Sequence, residues 1–438
     1  MIACPLFLIL GVFSHILSGQ ALFLTKASPF SMKISIPSIL YVLFFDKSRL
    51  SIKRLSLYTK SLPPFSLGKK KKTENDNKNK LKIRIISFIF LFFIFISFLD
   101  FFKVLKYNFC LKEGVFIKKI LLPFVLILSC FLSSCNLQVS SDKINGFYLD
   151  TFCEITLYGE DKAFLEDAMD IVEKYDQLFD ANKENSDIWK INNSLGVPIT
   201  ISEDTLDLIN TALKYKEVTD GEYEPFIYGL SSLWKKGDVP SDSDINHSLE
   251  EIGNSKISIN DTTISVLGGA GFDPGSSAKG FISGKVADFL ESKNVESGII
   301  NLGGNIQVIG SKQNEKYQIA LESPFENRSP YILFAENTSI STCGTYERFF
   351  EKDGKSYHHI LDVKTGFPKE NGLSSVVIIG NNPLEADILS TVCFLLGETE
   401  GNSLIESLDG FEAIFIKSSE EITTTSGIEF QGNKFYIK

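Results

Sequence analysis

Apolar positions recur at helical spacing in four stretches of the chain. In 161–180 they are Phe164, Ala168, Ile171, Val172, Tyr175 and Leu178, which predicts an amphipathic helix. A second helix is predicted over 201–219, with Ser202 as N-cap before an acidic first turn and Gly221 past its end. A third covers 277–294. A fourth covers 383–397, with Pro383 at its start and Gly397 at its end. Between them the pattern reads as strands: 147–159, a hairpin over 256–267 around Asn260-Asp261, and a pair over 297–310 joined by a Gly turn. Residues 316–324 and 331–342 continue as strands. Residues 374–380 form a short buried-type strand, and 411–417 and 434–438 close the chain. Hairpins mixed with helices predict an α+β fold, with mixed or antiparallel sheets flanked by helices, and the length over 147–438 suits one large domain or two small ones.

The pattern before residue 136 is different. Residues 85–99 are apolar except for Ser87 and Ser97 and end at Asp100; fifteen residues fall short of the ~20 that span a bilayer. Residues 115–135 have the form of a secretory signal: Lys118 and Lys119, an apolar run over 120–132, then Ser133-Ser134-Cys135. This segment resembles a bacterial lipobox, and the resemblance implies lipidation of Cys135 after cleavage. Residues 136–146 read as a polar tether. Residues 1–114 are rich in Phe, Lys, Ile and Asn and carry a KKKKTENDNKNK run at 69–80. They are expected to be either a mis-set translation start, with synthesis truly beginning near Leu111 or Val115, or a disordered or membrane extension.

Charge sharpens the division. Residues 1–135 hold 20 Lys/Arg against 5 Asp/Glu, leaving 24 against 49 for the rest of a chain whose net charge is -10. The charge of the acidic part argues against a nucleic-acid binder, which would need a basic face for phosphates. Seven cysteines without regular spacing exclude a disulfide scaffold and a zinc ribbon. With Cys135 lipidated, Cys153, Cys343 and Cys393 are left in the acidic part. Three cannot all pair within the chain, and Cys153 and Cys393 read as buried small hydrophobes.

Single motifs carry little chemistry here. Gly303-Gly304 reads first as a turn. His358 and His359 stand together in the Gly/Pro-marked segment HHILDVKTGFP, where reactive groups are commonly displayed. Asp387 and Thr391 lie four apart on a predicted helix, hence on one face. Such a pair can bind a hard cation such as Mg2+; by itself it reads first as a solvated carboxylate beside a hydroxyl bonded to its own backbone.

The order of the segments says more. LDT at 149–151, NSDIWKINNS at 185–194, TDGEYEPFIYGLSSLW at 219–234, GFDPGSSAKGF at 271–281, INLGGNI at 300–306, STCGTYERFF at 341–350, HILDVKTGFP at 359–368 and EADILSTVCFLLG at 385–397 run in one series. In that order they resemble the ApbE family of flavin transferases, which attach FMN from FAD to a protein hydroxyl and release AMP. The resemblance implies FAD as substrate and Mg2+ held by Asp387, Thr391 and the carbonyl of Ala278. It implies His359 as general base and FAD contacts at Leu149, Asn182, Glu222, Tyr223, Glu224, Gly275, Phe281 and Ile360. It also implies a partner, an acceptor flavoprotein such as a membrane electron-transport subunit that presents Thr or Ser. With the lipid anchor, it places the chain on the outer face of the cytoplasmic membrane or the periplasmic face of an envelope membrane. Water as nucleophile would make the same site an FAD diphosphatase; loss of chemistry would leave a flavin carrier. Leu149-Asp150 stands where the family has Met-Gly, and Glu224 where it has Asp. Cys343 and Thr345 stand for Ser and Asp, Val363 for Pro, and Gly284 for a frequent Asp.

Overall fold

The computed structural model describes residues 23–28, 31–36, 39–46 and 49–55, and residues 140–438 other than 160, 313–314 and 326–327. Cys135, the signal over 115–135 and the apolar run 85–99 lie outside the described residues. The chain divides into two units, Met1–Phe109 and Cys110–Lys438. In the first, β1 (Phe23–Ser28), β2 (Ser31–Ile36), β3 (Ile39–Asp46) and β4 (Arg49–Leu55) form an antiparallel meander. The period-two alternation of Met32, Ile34 and Ile36 with Lys33 and Ser35 matches strand spacing over β2.

The second unit is organised by an eight-stranded antiparallel sheet. Its members in chain order are β5 (Ser141–Tyr148), β6 (Thr151–Tyr158), β10 (Ser297–Leu302), β11 (Asn305–Gly310), β14 (Thr338–Gly344), β17 (Leu373–Gly380), β18 (Phe411–Lys417) and β19 (Ile422–Thr424). They lie in the order β19-β18-β17-β14-β11-β10-β6-β5. Every residue of β17 is buried, because both faces of the sheet are covered. On one face pack α1 (Leu165–Phe179), α6 (Ala278–Ser292), α7 (Pro383–Leu396) and α8 (Glu398–Glu406). On the other packs a second sheet of β12 (Tyr317–Leu321), β13 (Tyr331–Ala335), β20 (Ile428–Gln431) and β21 (Lys434–Ile437). Each fully buried Ile, Leu or Phe between these layers contributes about 1.5–3 kcal/mol. The α+β expectation is met, and no helix among the described residues is long and apolar enough to cross a membrane.

Peripheral elements complete the unit. They are α2 (Asp187–Asn192), α3 (Glu203–Val218), α4 (Tyr228–Trp234), α5 (Asp242–Asn254), a sheet of β7 (Ile199–Thr200), β8 (Lys256–Asn260) and β9 (Thr263–Leu267), and the hairpin β15 (Phe349–Lys352) with β16 (Lys355–His358). Ser202 caps α3 as expected, accepting from the Thr205 N–H at 3.1 Å.

Three expectations need correction. The tether over 136–146 gives way to β5 from Ser141, which pairs with β6 along its whole length. The strand expected over 147–159 is interrupted by a two-residue turn at Leu149 and Asp150, both left-handed with φ near 55°. Its energetic cost is offset in part by the Leu149 N–H, which donates to Asp176 at 2.7 Å. The strand expected over 331–342 is two strands in different sheets, because Asn337 turns the chain at φ 43°.

Candidate functional site

A cavity of about 330 Å³ opens between the start of α6, α4, and the excursion that runs from β14 through the β15–β16 hairpin to the turn after His359. Its floor is set by the segment before α6. Asn192 clamps Phe272 from both sides, accepting its N–H at 2.7 Å and donating to its carbonyl at 3.0 Å. Asp273 then accepts from the Gly275 N–H at 2.9 Å and from the Ser231 hydroxyl, and lies 3.6 Å from the Lys235 ammonium. Burial raises the Asp273 pKa, but Lys235 and these donors outweigh it and hold the carboxyl below its usual range.

Asp387 and Thr391 face this segment from α7. The contact is close because Gly280 has no side chain: a Cβ there would lie 2.2 Å from the Pro383 carbonyl oxygen and 2.5 Å from Asp387 Cβ. Asp387 is buried, with one oxygen accepting from the Gly280 N–H at 2.8 Å and the other from the Ser341 hydroxyl at 2.8 Å. Gly280 lies in the first turn of α6, where N–H groups lack helical partners and a negative charge is favoured. Ala278 opens the same turn, and Thr391 lines the cavity. Burial raises the Cys343 pKa, so this thiol stays protonated. Cys153 and Cys393 are buried free thiols, as expected.

The two histidines separate cleanly. His358 uses both ring nitrogens structurally: Nδ1 accepts from the Ile360 N–H at 3.3 Å, and Nε2 lies 3.2 Å from the Lys369 carbonyl. His359 Nδ1 lies 3.2 Å from the Arg348 carbonyl. A carbonyl only accepts, so Nδ1 carries the proton and Nε2 keeps its lone pair. Packing around the cleft wall, then the nearby Arg348 and Lys279 charges, lower the His359 pKa to about 4. Its imidazole is therefore neutral at pH 7.

Among the other expected contacts, Tyr223, Glu224, Gly275 and Ile360 line the cavity. The Tyr223 hydroxyl is 2.8 Å from Ser276 Oγ. Glu224 already pairs with Lys216 and accepts from the Phe226 N–H, so both its oxygens have partners. Leu149, Asn182, Glu222 and Phe281 lie outside the walls. Leu149 sits in the hairpin turn, and exposed Asn182 accepts from the Tyr228 hydroxyl. Glu222 ties down the 362–369 turn through Lys364 and Lys369. The Phe281 ring packs edge-on against Tyr175 and Phe179 in the core.

Sequence reasoning assigned no role to Glu347, Lys279 or the aromatic wall of Trp234, Phe350 and Tyr357, all of which line the cavity. Glu347 stands in the quoted segment STCGTYERFF, but nothing in that segment announces its environment. Glu347 and His359 are wall groups of an open cleft, surrounded by protein yet reachable by water. Burial, and next the Asp387 charge among the groups that raise it, push the Glu347 pKa up to about 7 against the opposing pull of Lys279.

Among the described residues no three His, Cys, Asp or Glu side chains are grouped to hold a metal. A cation here would have to use mixed oxygen donors: the Asp387 carboxylate, the Thr391 hydroxyl and a backbone carbonyl at the start of α6. That set suits a hard cation that completes its sphere with water and substrate phosphate.

The family model described as the ApbE family matches residues 149–415. The FAD:protein FMN transferase of Klebsiella pneumoniae is 34% identical over 282 residues, covering 62% of this chain and 88% of that protein. The FAD:protein FMN transferase of Treponema pallidum is 27% identical over 330 residues, covering 68% of this chain and 91% of that protein. The crystal structure of the ApbE protein from Thermotoga maritima superposes with a TM-score of 0.60 at 26% identity, over 66% of this chain and 97% of that one. The fold, the series of motifs and these relatives agree: the chain belongs to the ApbE family.

Proposed function

We propose that this protein is an FAD:protein FMN transferase. The observation that carries the reading is one cleft lined by both His359, neutral with Nε2 free, and Thr391 of α7, with Asp387 one turn earlier on α7 buried behind the lining against the first turn of α6. FAD enters the cleft as substrate. A Thr or Ser hydroxyl of an acceptor flavoprotein attacks the FMN phosphorus. Its oxygen forms the new P–O bond, the diphosphate P–O bond to AMP breaks, and His359 Nε2 takes the hydroxyl proton. The first turn of α6 presents N–H groups suited to phosphate. Asp387, Thr391 and the Ala278 carbonyl are the residues that would hold Mg2+, which when bound neutralises charge on the phosphates. The chain's own contribution is to place these donors, orient the imidazole through Arg348, and line the cleft with Tyr223, Trp234 and Ile360.

The lipobox-like segment ending at Cys135 supports an anchor in a cell-envelope membrane, with the second unit on its outer or periplasmic face and acceptors such as electron-transport subunits in that compartment. Mass spectrometry of the native protein tests this: a lipid-modified peptide beginning at Cys135 is expected, and an unmodified peptide spanning Cys135 contradicts it.

The test of the activity uses the purified full-length protein with FAD and Mg2+, with and without an acceptor bearing a Thr-containing flavinylation site. Covalent flavin fluorescence on the acceptor, matched by AMP, is the expected result. AMP release undiminished without acceptor would instead mark a diphosphatase. Bound FAD with neither product would mark a carrier.

A further inference from the structure

Behind the cleft, four side chains from four different elements form one buried polar chain. Ser283 of α6, Asn305 of β11, Ser341 of β14 and Asp387 of α7 are each 3% exposed or less. Ser283 Oγ lies 2.9 Å from Asn305 Oδ1, Asn305 Nδ2 lies 3.3 Å from Ser341 Oγ, and Ser341 Oγ lies 2.8 Å from Asp387 Oδ1. Ser283 also lies 3.0 Å from the Gly280 carbonyl, and the Gly280 N–H reaches the second oxygen of Asp387. Ser283 has one hydroxyl proton, which the Asn305 Oδ1 and the Gly280 carbonyl share as alternative acceptors. The polar chain is set inside an otherwise apolar layer between helices and sheet, where apolar side chains would fill the space without any demand for partners.

The direction of every hydrogen bond follows from the carboxylate. An ionised Asp387 only accepts, so the single proton of Ser341 points at it. Ser341 Oγ must then accept from the Asn305 amide NH2, which turns Asn305 Oδ1 toward the Ser283 hydroxyl. Turning the Ser341 hydroxyl away would leave Asp387 Oδ1 without this donor, with only the Gly280 N–H still serving Oδ2. The chain is therefore a one-way support for a charged Asp387. It fills one acceptor direction on Oδ1 while Gly280 fills one on Oδ2, and it leaves one on each oxygen free. Asn305 is also the last residue of the NLGGN motif, whose Gly303-Gly304 turn delivers it into β11.

We propose that Ser341 and Asn305 are positioning residues for flavin transfer, acting through Asp387 to fix the carboxylate that holds the cation. This rests on the function proposed above and adds the residues that orient its cation site. Groups that support a ligand from behind typically change metal affinity by about 10–100-fold when removed.

The test compares Ser341→Ala, Ser341→Thr and Asn305→Leu in the purified full-length protein. Mg2+ binding is measured calorimetrically with FAD present, and FAD binding is measured in EDTA by flavin fluorescence. Ser341→Ala is expected to weaken Mg2+ binding about tenfold or more, with FAD affinity in EDTA unchanged. Ser341→Thr keeps the hydroxyl and should restore Mg2+ binding, and Asn305→Leu should fall between. A folded Ser341→Ala that binds Mg2+ like wild type overturns the proposal, as does a wild type that binds no Mg2+. Should Ser341→Ala fail to fold, Ser341→Cys, whose thiol is a weak donor, replaces it under the same criterion. Wild type that binds Mg2+ and FAD yet releases no AMP and modifies no acceptor would refute the transferase reading alone, because the Mg2+ comparison among variants does not depend on turnover.

Discussion

The cleft has one wall made of two helices pressed together at glycine and another made of a hairpin and turn that leave the main sheet between β14 and β17. On the first wall, Gly280 and Gly284 stand one helical turn apart and receive Pro383 and Asp387 of α7; a Cβ on Gly284 would lie 3.0 Å from the Pro383 ring. On the second, β15 and β16 pair only with each other. Their anchor is a stack of rings, Trp234 on Tyr357 at 5.6 Å and Phe350 on Tyr357 at 5.4 Å, with the Trp234 indole donating to the Gly366 carbonyl at 2.9 Å. Lys369 then ties Asp362 at 3.0 Å within the turn. The difference follows the chemistry. A charge that must not move is held by buried, directional bonds. Groups that exchange protons or meet a large acceptor stand where water and a second protein can reach them.

The sharpest way to break this contrast is Asp387→Ala. Transfer should fall by about 10³-fold or more, since the buried wall loses its only proposed anionic ligand. Stability should fall as well, by about 1–3 kcal/mol, because the Gly280 N–H and the Ser341 hydroxyl lose their acceptor in the core. Urea denaturation and AMP release measure the two losses separately. Turnover at the wild-type rate would remove the carboxylate from the reaction.

The accessible wall should respond in the opposite sense. His359→Gln is expected to lower turnover by about 10²–10⁴-fold, the range for loss of a general base, and to cost no more than about 0.5–1.5 kcal/mol of stability for its one bond to the Arg348 carbonyl. His358→Gln is its control. With both nitrogens of His358 committed to backbone, it should cost about 0.5–1.5 kcal/mol per lost bond and leave the chemical step intact. If the two variants exchanged these phenotypes, the base would be reassigned.

Helical periodicity already located α1, α3, α6 and α7, and the four-residue spacing of Asp387 and Thr391 placed them on one face. Those are local signals. The close approach at Gly280 and Gly284 was not legible, because a glycine in a helix advertises only weak propensity until its neighbour is known. Gly284 read as a departure from the family's usual Asp; in the fold it is the space that Pro383 needs. The β15–β16 hairpin did carry a signal, Asp353-Gly354 between Phe350 and Tyr357, that a search for turn dipeptides would find. Glu347 carried none. Its raised proton affinity comes from burial in the cleft wall and then from the Asp387 charge, which outweigh the lowering pull of Lys279, and these neighbours are distant in sequence.

Gly280→Ala turns the packing of the buried wall into a measurement. Alanine favours a helix by about 1 kcal/mol over glycine, so an isolated α6 would gain. Here the methyl group meets the Pro383 carbonyl, a backbone atom that cannot swing aside, and Asp387 Cβ. A net loss of about 1–3 kcal/mol is expected, the usual cost of overpacking, together with weaker Mg2+ binding as α7 shifts. A stabilised variant would mean that the two helices are free to separate.

The smallest expected effect is the pH dependence of stability contributed by the accessible wall, because water entering the open cleft screens both groups. Glu347 has its folded pKa raised to about 7 from 4.5. The folded state therefore holds its proton more tightly, and the contribution is fully present below pH 4.5 and lost as pH rises through about 7. His359 has its folded pKa lowered to about 4 from 6.5. Its contribution is present above pH 6.5 and lost as pH falls through about 4. Between pH 4.5 and 6.5 the two slopes oppose each other, so wild type should change little on account of this wall. Glu347→Gln removes one slope and leaves the other. Relative to wild type, the variant's urea midpoint should then climb as pH is raised from about 4.5 to 6.5. Midpoint curves that stay parallel across that window would show that Glu347 titrates as an ordinary surface carboxylate and that its neighbourhood with Lys279 and Asp387 has no hold on it.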